Sequence, residues 1–118
     1  MRFIVMVKAT AASEAGILPS PEMLAKMGAF NEQLAKAGAL LAADGLQPSS
    51  KGARIKFTAG KPSVTDGPFA ETKELIAGFW MLQFRSKQEA IEWLLRCPFT
   101  EEEVEIRQVY EPEDFAPG

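Results

Sequence analysis

Two segments of this 118-residue chain are apolar on both of their faces, and no other feature constrains its fold as tightly. Arg2 to Ala9 alternates Phe3, Val5 and Val7 against Ile4 and Met6. Leu75 to Phe84 alternates Ile76, Trp80, Leu82 and Phe84 against Leu75, Ala77, Phe79 and Met81. A strand with one face in water carries polar residues at every second position, so both segments belong inside a sheet that is covered on two sides.

The elements between them are punctuated by local chemistry. Ala9 to Pro19 is small and weakly patterned and reads as a loop. Ser20 as N-cap, Pro21 at the first helical position and Glu22 at the positive dipole end then start a helix. Met23, Met27, Phe30, Leu34 and Ala37 form its apolar stripe, and Gly38 ends it. Leu40 to Leu46 is a second strand, followed by turn residues from Gln47 to Gly52. Arg54 to Thr58 alternates and returns through Val64 after Ala59-Gly60-Lys61, which is most simply an inserted hairpin. Ser86-Lys87-Gln88-Glu89 is a capping box that opens a helix with Ala90, Ile91, Leu94 and Leu95 inward and Pro98 at its exit. Val104 to Tyr110 is a last strand, and the acidic tail Glu111 to Gly118 belongs on the surface.

Strand, helix, strand, hairpin, strand, helix, strand makes two split β-α-β units in one α+β domain, residues 1–118. Both helices then lie on one face of an antiparallel sheet, the ferredoxin-like plan, with the first and third main strands at its centre. Those are the two strands apolar on both sides. Two helices cover one face only, so the other needs a partner, and a second copy meeting it sheet to sheet as a homodimer is the simplest cover. The alternative is that the hairpin and tail fold back over the face within one chain.

Composition removes whole classes of chemistry. The chain has no histidine, which excludes His-based triads, His-ligated zinc or haem and imidazole acid-base catalysis, and it calls for no metal or cofactor. Net charge is −3 and the 13 basic residues are scattered, so nucleic acid is not an expected partner. The apolar runs are too short for a bilayer, and the start lacks the pattern of a signal peptide. A single cysteine, Cys97, suits a reducing compartment, and the expected location is the cytoplasm. Cys97 reads as a small buried apolar side chain near a helix end.

The most specific stretch is Val64-Thr65-Asp66-Gly67-Pro68-Phe69-Ala70-Glu71-Thr72-Lys73-Glu74. Gly67-Pro68 forces a turn that the Asp66 carboxylate can tie down, and Phe69 can anchor it in the core. Alternating charges from Glu71 to Glu74 then crowd the approach to an apolar strand. If the segment does chemistry, Asp66 or Glu71 is the general base or acid, with its pKa raised by partial burial. Lys73, as a further catalytic candidate, or Arg107 would hold an anionic group of a small-molecule substrate. Asp66, Phe69, Lys73, Trp80 and Arg107 form the candidate ligand-binding set. Trp80 and Trp93 can instead serve the core or a dimer seam, and Arg96 with Glu105 reads as a structural pair.

This stretch resembles the hallmark of the YCII-related proteins, in particular their Asp-Gly-Pro-Phe (DGPF) branch. The resemblance continues through Gly45-Leu46-Gln47-Pro48, Gly78-Phe79-Trp80, Glu89-Ala90, Glu92-Trp93, Arg96-Cys97-Pro98, Glu105-Ile106-Arg107 and Glu111-Pro112-Glu113-Asp114-Phe115. It implies a ferredoxin-like fold assembled as a dimeric α/β barrel, in a largely bacterial family without a settled activity. It also implies a possible accessory or regulatory role, since members often lie near genes for extracytoplasmic-function sigma factors. The enzymatic activity ascribed to related YCII-type proteins rests on a His-Asp pair, which this chain lacks. Two readings follow: a small-molecule pocket beside the Asp66-Phe69 loop with metal-free acid-base chemistry, or a non-enzymatic accessory dimer.

Overall fold

The computed structural model describes residues 1–116. Strands β1 (Arg2–Lys8), β2 (Leu40–Gly45), β5 (Ile76–Gln83) and β6 (Val104–Gln108) form one antiparallel sheet in the order β2-β5-β1-β6. β3 (Ala53–Thr58) and β4 (Lys61–Asp66) form a separate hairpin. The two strands apolar on both faces are the two central ones, as their pattern requires.

Helices α2 (Pro21–Lys36) and α3 (Lys87–Leu94) lie on the same face of the sheet. Phe30 and Leu34 of α2 and Ala90 and Leu94 of α3 pack on Phe3 and Val5 of β1 and Trp80 and Leu82 of β5. Phe3, Val5, Leu34 and Leu82 are fully buried, so the core is a single layer between sheet and helices. Burial of this apolar surface, at about 25 cal/mol per Å², is what holds the helices down.

The opposite face carries Ile4 and Met6 of β1, paired in register with Met81 and Phe79 of β5. These four are only half-buried and stand outside the core cluster. The hairpin is exposed at every strand position, so it does not fold back to cover them. Among the described residues no helix is long and apolar enough to cross a membrane.

Three local expectations need correction. The segment after β1 is not all loop: α1 spans Ala11–Glu14, because the Thr10 and Ser13 side chains each accept from the other's backbone N–H, at 3.1 and 2.8 Å. Such reciprocal caps let even one turn of helix form where periodicity is silent. At α3 only half of the expected box forms. Ser86 accepts from the Glu89 N–H at 3.1 Å, but the Glu89 carboxylate pairs with Arg85 at 3.3 Å instead of turning back. Finally, Arg96 and Glu105 are not a pair. Arg96 lies 3.9 Å above the Trp93 ring, and Glu105 is taken by Lys8 and Arg107, each at 3.3 Å.

Candidate functional site

At one end of the sheet the layer between strands and helices opens into a cavity of about 880 Å³. Its floor is Val7, Ala43, Gly78 and Trp80 from the three strands β1, β2 and β5. Met23, Met27 and Asn31 line it from α2, one turn apart each, because residues spaced by four share a helix face. Ile17, Leu18 and Phe99 add apolar wall, while Asp44, Glu101 and Glu102 bring carboxylates. The volume falls within the range of ordinary small-molecule sites, roughly 300–1,000 Å³.

Two polar residues of the lining stand out by their partners. The Trp80 indole N–H donates to Asn31 Oδ1 at 2.7 Å. An indole nitrogen can only donate, so the Asn31 amide is held with its oxygen toward Trp80 and its NH₂ free to donate elsewhere. Glu102 Oε2 is shut off from solvent and has no hydrogen-bond partner among the described residues. Lys8, the one basic residue along the wall among the described residues, is engaged by Glu105 at 3.3 Å. The Thr10 and Ser13 hydroxyls also reach the cavity but serve the cap of α1.

Of the residues picked out from sequence, Trp80 alone borders this space. Asp66 closes β4 opposite Ala53 and is exposed rather than partly buried. Glu71 and Lys73 are exposed at a one-turn 3-10 segment, Thr72–Glu74. Arg107 is exposed on β6 beside Glu105. The structure therefore does not bring Asp66, Glu71, Lys73 and Arg107 together on the cavity.

Gly67 and Phe69 are instead built into the base of the hairpin. A Cβ at Gly67 would sit 1.8 Å from the Ser49 carbonyl oxygen, so only glycine fits there. The Gly67 N–H donates to Gly52 O at 3.0 Å, and the Phe69 N–H to Ser49 Oγ at 3.1 Å. Arg54 of β3 lies 3.8 Å above the Phe69 ring. Ser49 in turn donates both its hydroxyl and its N–H to the Glu14 carboxylate of α1. Those two bonds, the hydroxyl's first, hold the Glu14 carboxyl below its ordinary pKa. Pro48, beside Ser49, lines the cavity, so the Asp66-Phe69 turn stands one layer behind the wall.

Sequence reasoning missed Asn31 and Glu102. Asn31 was legible as the one polar residue in the 23–27–31 row of an apolar helix; Glu102 had no signal beyond a run of acids. Cys97 is half-buried, and burial pushes its thiol pKa up, with Glu102 adding to the rise against a backbone bond from Phe99. That suits a packing residue rather than a nucleophile. Among the described residues no group of His, Cys, Asp and Glu side chains could hold a metal ion.

Comparison with known proteins supports the fold and names the family. An uncharacterized protein of Rhizobium meliloti (strain 1021), R00369, is 36% identical over 67 residues, which span 57% of this chain and 54%, about half, of that protein. A solved structure, 5-chloro-2-hydroxyhydroquinone dehydrochlorinase (TftG) from Burkholderia phenoliruptrix AC1100 in complex with 2,5-dihydroxybenzoquinone, superposes with a TM-score of 0.53. It covers 97% of this chain and 98% of its own at 14% identity, a likeness of fold. The YCII-related domain matches residues 1–113, and the chain belongs to that family.

Proposed function

We propose that this protein binds a small, uncharged, ring-sized molecule carrying hydroxyl and carbonyl groups in the cavity between its sheet and α2. One observation carries the reading: a largely apolar lining holds the free amide donor of Asn31, and Glu102, whose buried Oε2 has no partner among the described residues, belongs to the same lining. A carbonyl of the ligand takes the Asn31 NH₂, a hydroxyl meets Glu102, and the ring fills the space among Met27, Trp80 and Phe99. The carboxylates of Asp44, Glu101 and Glu102, with Lys8 already paired, disfavour an anion. In this reading Glu102, rather than Asp66 or Glu71, is the group placed to move a proton without a metal. The 2,5-dihydroxybenzoquinone in the complex of the structurally similar dehydrochlorinase is likewise a ring carrying hydroxyl and carbonyl groups.

A thermal-shift titration tests it with 3-hydroxybenzaldehyde and catechol, both uncharged at neutral pH, and with benzoate, which is an anion. The hydroxylated rings raise the melting temperature, by the equivalent of about 2.7 kcal/mol at one hundred times the dissociation constant, and benzoate does not. Asn31→Asp keeps the acceptor for Trp80 and removes the amide donor, so it abolishes the shift. No shift with any ring, or an undiminished one in Asn31→Asp, rejects the proposal.

The assembly belongs to the same reading. Helices cover one sheet face, Ile4, Met6, Phe79 and Met81 stand on the other, and a second copy meeting that face makes a homodimer. The exposure of Asp66, Glu71 and Lys73 favours a contact role for that segment over a catalytic one, in keeping with an accessory protein that acts through a bound ligand.

A further inference from the structure

The cavity beneath α2 is several times larger than the ring proposed for it. A space of about 150 Å³ suffices for benzene, and this one measures about 880 Å³. Volumes near the top of the ordinary range belong to drug-sized ligands rather than to single rings. The excess has a direction. Leu24, Met27 and Asn31 line the cavity from one face of α2, because positions three, four and seven apart stack along a helix. Leu24 therefore stands about 10 Å from Asn31 along the axis, toward the N-terminal end of α2. That is farther than a ring held by the Asn31 amide reaches.

This end of the cavity is aliphatic. Ile17 and Leu18, just ahead of α2, and Leu46, just past β2, line the cavity together with Leu24. The four are 65%, 81%, 44% and 53% exposed in that order, so each borders the cavity and also meets solvent, which places them at its rim. Trp80, at 3%, stands at the deep end. Single aliphatic side chains on a surface need no explanation. Four from three separate segments, gathered on the rim of one cavity, leave apolar surface bare beside a binding site.

We infer that the ligand carries an aliphatic chain on its ring, and that this chain runs along α2 toward Leu24 and lies against Ile17, Leu18 and Leu46. The chain reaches these side chains through the same continuous space that holds the ring, and none of the four offers a charge or a hydrogen bond to a more polar group. The inference rests on the ring-binding reading above and extends that ligand by one substituent.

Isothermal titration of the full chain with the methyl, butyl and hexyl esters of 4-hydroxybenzoic acid tests this. All three carry a phenol and a carbonyl and are uncharged at neutral pH, so only the chain differs. Full burial of a methylene tightens binding about fourfold, and half burial at an open rim about twofold, so the hexyl ester binds roughly thirtyfold more tightly than the methyl ester. Leu18→Ser/Leu24→Ser/Leu46→Ser, whose side chains lie outside the core and whose folding far-UV circular dichroism verifies, lowers that ratio at least about fivefold. Esters that bind with one common affinity overturn the chain and leave the ring site standing, and so does a ratio that survives the triple variant. If no ester binds, the ring reading falls as well. A triple variant that weakens self-association of the ligand-free chain while keeping the ratio assigns the rim to a second copy instead.

Discussion

Gly67 shows how one residue sets the geometry of a whole element. Any side chain there strikes the Ser49 carbonyl, 1.8 Å from where a Cβ would stand, and a backbone atom cannot rotate away as a side chain can. Gly67→Ala therefore pushes the turn off Ser49 and breaks the Phe69 N–H bond to Ser49 Oγ. The expected cost is about 1–3 kcal/mol, read as a lower melting temperature together with lost amide-exchange protection in β3 and β4 while β1 and β5 keep theirs. A variant as stable and as protected as the wild type would show that the contact is not needed. The turn at Gly67-Pro68 could be read in advance, because glycine and proline are local signals. Its purpose could not, since Ser49 lies eighteen residues away and nothing in a linear pattern announces that the two backbones touch.

The elements themselves were legible wherever burial imposed a period. α2 starts at Pro21 after Ser20, whose side chain accepts from the Met23 N–H at 3.1 Å, as its punctuation required. Its stripe proved to serve two ends: Phe30 and Leu34 enter the core, Met23 lines the cavity, and Met27 does both, packing on the core's edge while lining the cavity. An apolar period cannot separate those uses, because a wall facing empty space and one facing a packed neighbour need the same residue types. The difference is measurable. Leu34→Ala, fully buried among aromatic and aliphatic neighbours, costs about 2–5 kcal/mol in chemical denaturation. Leu24→Ala, on the same helix but 53% exposed, changes stability by about 0.5 kcal/mol or less. Equal losses at the two positions would mean that the helix is seated in a different rotation. α1 escaped notice for the complementary reason, because a single turn held by Thr10 and Ser13 has no apolar face to give it a period.

At the scale of the whole molecule, the double-faced strands led directly to the sheet order and to the open face, since only central strands in a covered sheet need grease on both sides. The cavity was not legible in that way. It exists because β1, β2 and β5 run on past the packed part of α2, and the residues that give it chemical character, Asn31 and Glu102, come from segments far apart in sequence. Function therefore turns on whether that space takes a ring. Trp80 lines it and Trp93 does not, so a Trp93→Phe variant carries one reporter inside the site. Titrating that variant with catechol while following its fluorescence is the most direct test: saturable quenching is the expected result, lost when Asn31→Asp is added. Quenching that climbs linearly without saturating, as for free tryptophan, would contradict a binding site beneath α2.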